Sequence, residues 1–260
     1  MTDRQPSLWA YFPLAYEDAY RVFSTRLPTV LTLVAGIMVV GFLGGLVHRL
    51  VDTRLGDAVL DLVIAAITTY LIAPYLFALY RAVARNEEVR PEAIRPTPEA
   101  QRFAAWSVVI TLAMTAPLAL YTLLGPYEAP TSLPSGAGAE EQDVNLPGML
   151  LILGLLVAAW IFTIRTTTLP ALLALDPDRA SLPAALAQTR GQFWFIVGVQ
   201  LVTMLPIALA TFMLSGLVGT IFGPLAPILL VPLGAALTGF AQVMVTAVST
   251  RLYQRFAALG

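Results

Sequence analysis

Few residues of this chain have the types and spacing that catalysis requires. Cysteine is absent, which excludes disulfides, thiolate metal sites and a cysteine nucleophile. His48 is the only histidine, and beside Arg49 at a helix end it fits a polar cap better than a proton switch. Zinc sites rich in histidine and serine-histidine-aspartate triads both need histidine in a defined setting. The sequence therefore predicts a protein that is not an enzyme and has no cofactor and no metal.

Three polar side chains lie inside apolar stretches and are the candidate intramembrane residues: Asp61, Gln200 and Gln242. Charge is costly in hydrocarbon, so Asp61 is a candidate for a substrate or proton path. Asp57 and Asp61 near the start of a helix also suit its dipole, and we favour that structural role. Gln200 and Gln242 are expected to hydrogen-bond to each other or to neighbouring helices in preference to lining a permeation path.

Prolines and glycines interrupt the same stretches. Each proline removes a backbone donor and can kink its helix, and paired broken helices in matching positions can mark a transporter site. Prolines are also common in ordinary membrane bundles, so they do not decide between a transporter and a scaffold. Gly41 and Gly45 form a GxxxG spacing that permits close helix approach. The prolines inside apolar segments are Pro74, Pro117, Pro206 and Pro232.

The elements that position these residues are six apolar segments. With 58% apolar and 12% charged residues, the chain lies outside the usual soluble composition. A helix needs about 20 apolar residues to cross about 30 Å of hydrocarbon, and six segments meet that requirement. We expect an all-α fold, a six-helix transmembrane bundle that forms one membrane domain over 1–260. The segments are 29–47, 58–79, 104–124, 149–168, 193–214 and 228–250.

Arginine placement predicts the orientation of the bundle. The chain has no lysine, and of its arginines only Arg49 and Arg54 lie on one side of the six segments. The positive-inside rule then places both termini in the cytoplasm, with 1–27 as an interfacial segment and 251–260 as a tail. The bias towards arginine and alanine indicates a bacterial genome rich in GC. We therefore expect a bacterial inner-membrane protein.

Two connecting segments have the pattern of interfacial amphipathic helices. In 14–27 apolar residues recur at helical spacing against Glu17, Asp18 and Arg21, which predicts a helix in the headgroup layer. In 181–194, Ser181 is placed to cap a helix that leads to the next membrane segment. The expected aromatic anchors of the first helix are Trp9, Tyr11, Tyr16 and Tyr20.

The arginines are also the expected contacts for membrane lipids, the predicted partner. Each basic group near an anionic surface contributes about 1 kcal/mol, although Glu87, Glu88, Glu92 and Glu99 oppose the arginines between the second and third segments. A phosphate-binding glycine loop and a basic aromatic face are missing, so no nucleic-acid partner is expected. A protein partner or homo-oligomer stays open. The candidate headgroup contacts are Arg85, Arg90, Arg95, Arg165, expected to snorkel, and Arg190.

The stretch 182–206 resembles the start of a late membrane helix in a bacterial family of polytopic membrane domains, which occur alone or fused to glycerophosphodiester phosphodiesterases. The residues that carry the resemblance are Thr189, Arg190, Gly191, Phe193 and Trp194. The resemblance brings no catalytic residue, because the soluble phosphodiesterase part is not matched. It implies a role at the membrane connected with lipid or envelope.

The leading interpretation is a non-enzymatic inner-membrane protein with a structural, lipid-associated or partner-binding role. The alternative is a small transporter or channel, in which Asp61, Gln200, Gln242 and the proline-kinked helices would line a path. An enzyme ranks third, because the few candidate groups for proton transfer are not clustered.

Overall fold

The computed structural model describes residues 8–51, 53–85, 97–124, 146–223 and 226–258. Within these ranges the chain forms α-helices and no β-strand, which confirms the predicted fold class. The helices are α1 (Leu8–Thr25), α2 (Leu27–His48), α3 (Arg54–Arg85), α4 (Pro98–Leu124), α5 (Leu146–Arg165), α6 (Leu169–Leu175), α7 (Leu182–Gln188), α8 (Phe193–Phe222) and α9 (Ala226–Ala257).

Six helical segments of the described chain are long and apolar enough to cross a membrane. They are α2, α3, α4, α8, α9 and the succession of α5 and α6. The shortest, α2, has 22 residues and at about 1.5 Å of rise per residue covers the hydrocarbon thickness. The prediction of a multi-pass membrane protein with six spans is confirmed.

The fourth span is interrupted, which the sequence did not predict. The segment expected over 149–168 ends as a helix at Arg165, and Thr166, Thr167 and Thr168 form a turn before α6 begins. Pro170 lies in the first turn of α6, where a missing backbone donor is tolerated. The break leaves carbonyls at the end of α5 that side chains from elsewhere must satisfy.

Two helices extend past the predicted boundaries. The predicted break over 215–227 is mostly helical, because α8 continues to Phe222. The predicted tail over 251–260 is helical to Ala257, because Leu252 and Phe256 are buried in the core and hold the end of α9 against the bundle. Side-chain packing, which hydropathy does not report, holds the end of α9, whereas Leu217, Ile221 and Phe222 at the end of α8 are exposed.

The first helix packs its apolar face on the protein, and its position in the headgroup layer stays a prediction. Ala15, Ala19 and Val22 are buried against the bundle, where α1 contacts α8 and α9. Among the predicted anchors, Tyr11 is buried and its ring lies edge-on to Phe195 at 5.5 Å. The expected anchors Trp9 and Tyr20 are exposed, and Tyr16 is partly buried.

The described bundle has two unlike halves. We call the half with α1, α6, α7 and the adjoining ends of the long helices the basic end, and the half with the α2–α3 turn the opposite end. The largest fully buried side chains, among them Phe103, Leu79 and Leu252, lie in the basic end. At the opposite end Phe212 is 80% exposed and Met213 70% exposed on the protein surface.

Candidate functional site

Arginines from α3, α4 and α5 hold the α6–α7 connection on the basic end. The last carbonyls of a helix have no partner inside the helix, and a cation near them is favoured by the helix dipole. Arg81 and Arg85 meet the end of α6, Arg102 meets the loop that follows, and Arg165 meets the end of α7. The hydrogen bonds are Arg81 Nε to Ala174 O at 3.1 Å, Arg85 Nη2 to Leu175 O at 2.7 Å, Arg102 Nη2 to Ala180 O at 2.8 Å and Arg165 Nη2 to Leu186 O at 3.1 Å.

The segment that resembles the polytopic membrane-domain family is built around α7. Ser181 caps α7 as predicted, since its hydroxyl accepts from the amide of Ala184 at 3.2 Å. Thr189 is fully buried and its hydroxyl donates to the carbonyl of Arg165 at 2.9 Å, which joins the ends of α5 and α7. Gly191 then adopts a φ of 76°, a backbone conformation that favours glycine. These contacts fix where α8 enters the bundle.

Arg190 lies at the surface of this segment. Within the described ranges its guanidinium makes no hydrogen bond or ion pair, in contrast with Arg85 and Arg165. Trp194 follows four residues later in the sequence and is 78% exposed, and the Phe193 ring lies between it and Trp160, with centroids 5.2 Å and 6.2 Å away. Arginines and aromatic residues that follow one another at the end of a membrane helix are typical of the membrane-water interface.

A buried ion pair attaches α1 to the bundle. Asp18 is 2% exposed, and Arg251 donates to its two oxygens from Nε at 2.5 Å and from Nη2 at 2.8 Å. Arg21 lies 3.4 Å from the same carboxylate. Two residues before Asp18 on α1, Tyr16 donates from its hydroxyl to the carbonyl of Thr203 at 3.3 Å, and burial raises the pKa of this tyrosine. The chain therefore secures α1 through polar contacts to α8 and α9.

A cavity of about 240 Å³ lies at the α5–α6 break between the long helices. Gln200 donates from Nε2 to the hydroxyl of Thr167 at 3.0 Å. Thr166 donates its hydroxyl to the carbonyl of Phe162 in α5 at 2.8 Å. The described lining has no charged group. Its polar residues are Tyr80, Thr163, Thr166, Thr167, Gln200 and Ser249.

Asp61 contacts His48 at the opposite end of the bundle and does not line this cavity. His48 bridges two carboxylates across the α2–α3 turn, with Nδ1 3.2 Å from Asp57 Oδ1 and Nε2 3.1 Å from Asp61 Oδ1. All three side chains are about a third exposed or more. Since α3 begins at Arg54, Asp61 lies about two turns into its helix, deeper than predicted. The cluster therefore joins the end of α2 to the start of α3.

The structure separates the three candidate intramembrane residues. Asp61 contacts His48, and Gln200 contacts Thr167 on the neighbouring fourth span, as the structural interpretation of the glutamines predicted. Gln242 is half-buried on α9. Its backbone carbonyl accepts a hydrogen bond from the hydroxyl of Thr246. The predicted headgroup contacts Arg90 and Arg95 lie outside the described residues.

Sequence reasoning assigned Asp18 to the wrong face of α1. The prediction put it on the polar face with Glu17 and Arg21, yet the spacing of Ala15, Asp18 and Val22 follows one helical stripe. A carboxylate within an apolar stripe indicates a buried cationic partner, so the sequence alone could have predicted that Asp18 is paired. It could not have identified Arg251, which is 233 residues away, as the partner.

The fold and these contacts define a polytopic α-helical membrane protein whose basic end is secured by arginines. Comparison with protein-family models, with curated proteins and with solved structures finds no match to this chain. The resemblance of 182–206 to the membrane domains found with phosphodiesterases stays a prediction.

Proposed function

We propose that this chain is a non-enzymatic protein of a bacterial inner membrane that associates with anionic lipid at its basic end, with both termini in the cytoplasm. The orientation follows from the placement of all arginines except Arg49 and Arg54 on the basic side. The cytoplasmic leaflet carries anionic lipid, so the basic end meets a surface of opposite charge.

The observation that carries the proposal is the exposed guanidinium of Arg190, which has no partner among the described residues. Arg81, Arg102 and Arg165 direct donors to backbone carbonyls and so serve the fold. Arg190 is exposed and lies four residues before the exposed Trp194, a sequence neighbourhood suited to the headgroup layer. A basic group at such a surface contributes about 1 kcal/mol to binding an anionic headgroup. Arg90 and Arg95 stay predicted headgroup contacts from the sequence.

Native mass spectrometry tests this proposal on full-length protein reloaded with phosphatidylglycerol or phosphatidylethanolamine. Arg190→Gln is expected to lower retention of phosphatidylglycerol about fivefold, the equivalent of about 1 kcal/mol, and to leave phosphatidylethanolamine unchanged. Arg179→Gln is the matched control, because Arg179 also lies at the basic end, is 85% exposed and has Asp176 at 3.8 Å. Equal retention by wild type and Arg190→Gln would refute the proposal.

Arg85 is less suited to this experiment than the sequence suggested. Its guanidinium donates to the carbonyl of Leu175, so Arg85→Gln changes the packing of α6 together with the charge. A loss of lipid in that variant would have two explanations. Arg190→Gln removes a charge without removing a described hydrogen bond and therefore reports on lipid alone.

The cavity beside Gln200 supports a second candidate function, the passage of a small neutral solute. Its described lining offers hydroxyl and amide groups and no charge, so it suits a molecule that forms hydrogen bonds and carries no charge. It lies at a break between two helices, a feature that substrate sites of transporters share.

Stopped-flow light scattering on proteoliposomes tests this second function with water and glycerol. Flux above that of empty liposomes, lost in Gln200→Leu and kept in Gln242→Leu, would support passage through the cavity. Gln242 is a matched control because it is a half-buried glutamine that does not line the cavity. Flux equal to that of empty liposomes would eliminate the transporter interpretation for these solutes.

A further inference from the structure

A groove of about 670 Å³ lies open on the membrane-facing surface between α2 and the start of α9. Its walls are apolar, with Met38, Phe42 and Leu46 from α2 facing Val231 and Pro232 from α9. Arg49 lines one end of the groove and is its one charged lining residue within the described chain. This volume lies in the range typical of small-molecule binding sites.

The bundle does not fill the groove. A Cβ placed on Gly41 or on Gly45 would meet no atom within 4 Å, so free space lies directly over the backbone of α2. Phe42 and Leu46 are exposed beside that space. In contrast, a Cβ on Gly44 would meet Ile64 Cδ1 at 2.7 Å, because that face of α2 packs against α3.

The length of the groove matches one membrane leaflet. From Met38 to Arg49 helix α2 rises by about 16 Å, close to half of the roughly 30 Å hydrocarbon layer. Helix α2 ends at His48, so Arg49 lies at the level of the headgroups. The groove therefore runs from the headgroup layer towards the middle of the bilayer, as an acyl chain does.

Charge distinguishes a lipid from a second copy of the chain as the occupant. Arg49 is exposed and its guanidinium has no hydrogen bond or ion pair within the described ranges, whereas the carboxylates of Asp57 and Asp61 contact His48. A parallel pairing of two copies through this face of α2 would bring the two Arg49 guanidinium groups together, which like-charge repulsion disfavours. A phosphate group at the same point would accept hydrogen bonds from the guanidinium.

We propose that the groove binds an anionic phospholipid, with one acyl chain over Gly41 and Gly45 and the headgroup phosphate at Arg49. This site lies at the opposite end from Arg190 and does not depend on lipid binding there. The proposal places a bound lipid in the leaflet at the opposite end, where the chain has few arginines. The lipid phosphate is then the ligand of Arg49.

The test is native mass spectrometry of the full chain reloaded with phosphatidylglycerol or phosphatidylethanolamine. Gly45→Leu, and independently Gly41→Leu, add side-chain volume in the groove at positions where a Cβ meets no atom within 4 Å, and are expected to remove one retained lipid molecule. Gly154→Leu is the matched control, since a Cβ on Gly154 also meets nothing within 4 Å and Gly154 does not line the groove. Arg49→Gln is expected to lower the preference for phosphatidylglycerol about fivefold, equivalent to about 1 kcal/mol for one headgroup contact.

Three results would overturn the groove site. The first is equal lipid retention by wild type, Gly45→Leu and Gly154→Leu. The second is an unchanged lipid preference in Arg49→Gln. The third is a wild-type dimer by light scattering that becomes monomeric in Gly45→Leu, because the occupant is then a second copy. Arg190→Gln, measured in parallel, reports only on the basic end, so failure of either lipid site is recognised separately.

Discussion

The two ends of this bundle are built from the same long helices and differ in how those helices are held. At the basic end Phe103 and Leu79 are buried, and arginines donate hydrogen bonds to carbonyls of α6 and α7. At the opposite end Phe212 and Phe42 face outwards, and the described polar contact between helices is the His48 cluster. Lipid tails are as apolar as leucine, so apolar surface alone does not draw helices together. Tight packing occurs where helix ends need polar partners.

Loss of the buried ion pair should have the largest effect on this difference. Asp18→Asn removes the buried carboxylate that accepts from Arg251, whose side chain is 30% exposed, and we expect it to lower the free energy of unfolding by about 3 kcal/mol. The measurement is unfolding in detergent followed by circular dichroism. Glu17→Gln is the control, because Glu17 is an exposed neighbour that contacts Arg21 only at 3.9 Å. An Asp18→Asn protein as stable as the control would show that the ion pair does not secure α1.

Truncation of a ring at each end should give the next largest difference. Phe103 is 1% exposed and packs edge-on against Phe77 and Tyr80, so Phe103→Ala opens a cavity. We expect a loss of about 2 to 3 kcal/mol, since the cavity cost persists although transfer to lipid contributes little. Phe212→Ala on the exposed surface should stay within about 0.5 kcal/mol of wild type. Equal losses in unfolding experiments would contradict the division into two unlike halves.

Two adjacent glycines test packing within the opposite end itself. Gly44→Leu forces Ile64 away from α2 and should cost about 2 kcal/mol through overpacking. Gly45→Leu projects into the open groove and should change stability by less than about 0.5 kcal/mol. Thermal unfolding of the two variants makes the comparison, and a Gly45→Leu that is the less stable of the two would mean that the groove is closed.

The smallest predicted effect concerns the join between α5 and α7. Thr189→Val removes the hydroxyl that donates to the carbonyl of Arg165 and keeps the shape, so we expect a loss of about 1 kcal/mol. Thr189→Ser keeps the donor and should lie closer to wild type in the same unfolding measurement. If valine and serine are equally destabilising, the methyl contacts of Thr189 matter and its hydrogen bond does not.

The spans were predictable because length and apolar content are summed over many residues, and single errors average out. The break after Arg165 was not predictable from the sequence. Thr166, Thr167 and Thr168 are only weakly polar and can continue an apolar segment. Only the packing of α6 shows that the chain turns there. Hydropathy likewise could not show that α9 continues to Ala257, because Leu252 and Phe256 are buried by contacts distant in sequence.

The candidate site was predictable in its residue types and not in its pairings. Arginine counts gave the basic end, but whether a guanidinium reaches a carbonyl, as for Arg165, or faces the surface, as for Arg190, depends on the path of α7. The cost of polar groups in hydrocarbon identifies Asp61 and Gln200 as candidate residues from the sequence alone. Their separate partners, His48 and Thr167, required the fold.

The placement of the basic end in the cytoplasm is tested most directly by thiol labelling, because the chain has no native cysteine. Single cysteines at the exposed positions Ala187 and Ala258 report on the basic end, and those at Leu50 and Thr220 on the opposite end. In intact spheroplasts an impermeant thiol reagent should label Leu50→Cys and Thr220→Cys, and should label Ala187→Cys and Ala258→Cys only after permeabilisation. Labelling of Ala187→Cys and Ala258→Cys in intact spheroplasts would contradict the orientation and the cytoplasmic lipid contact of Arg190.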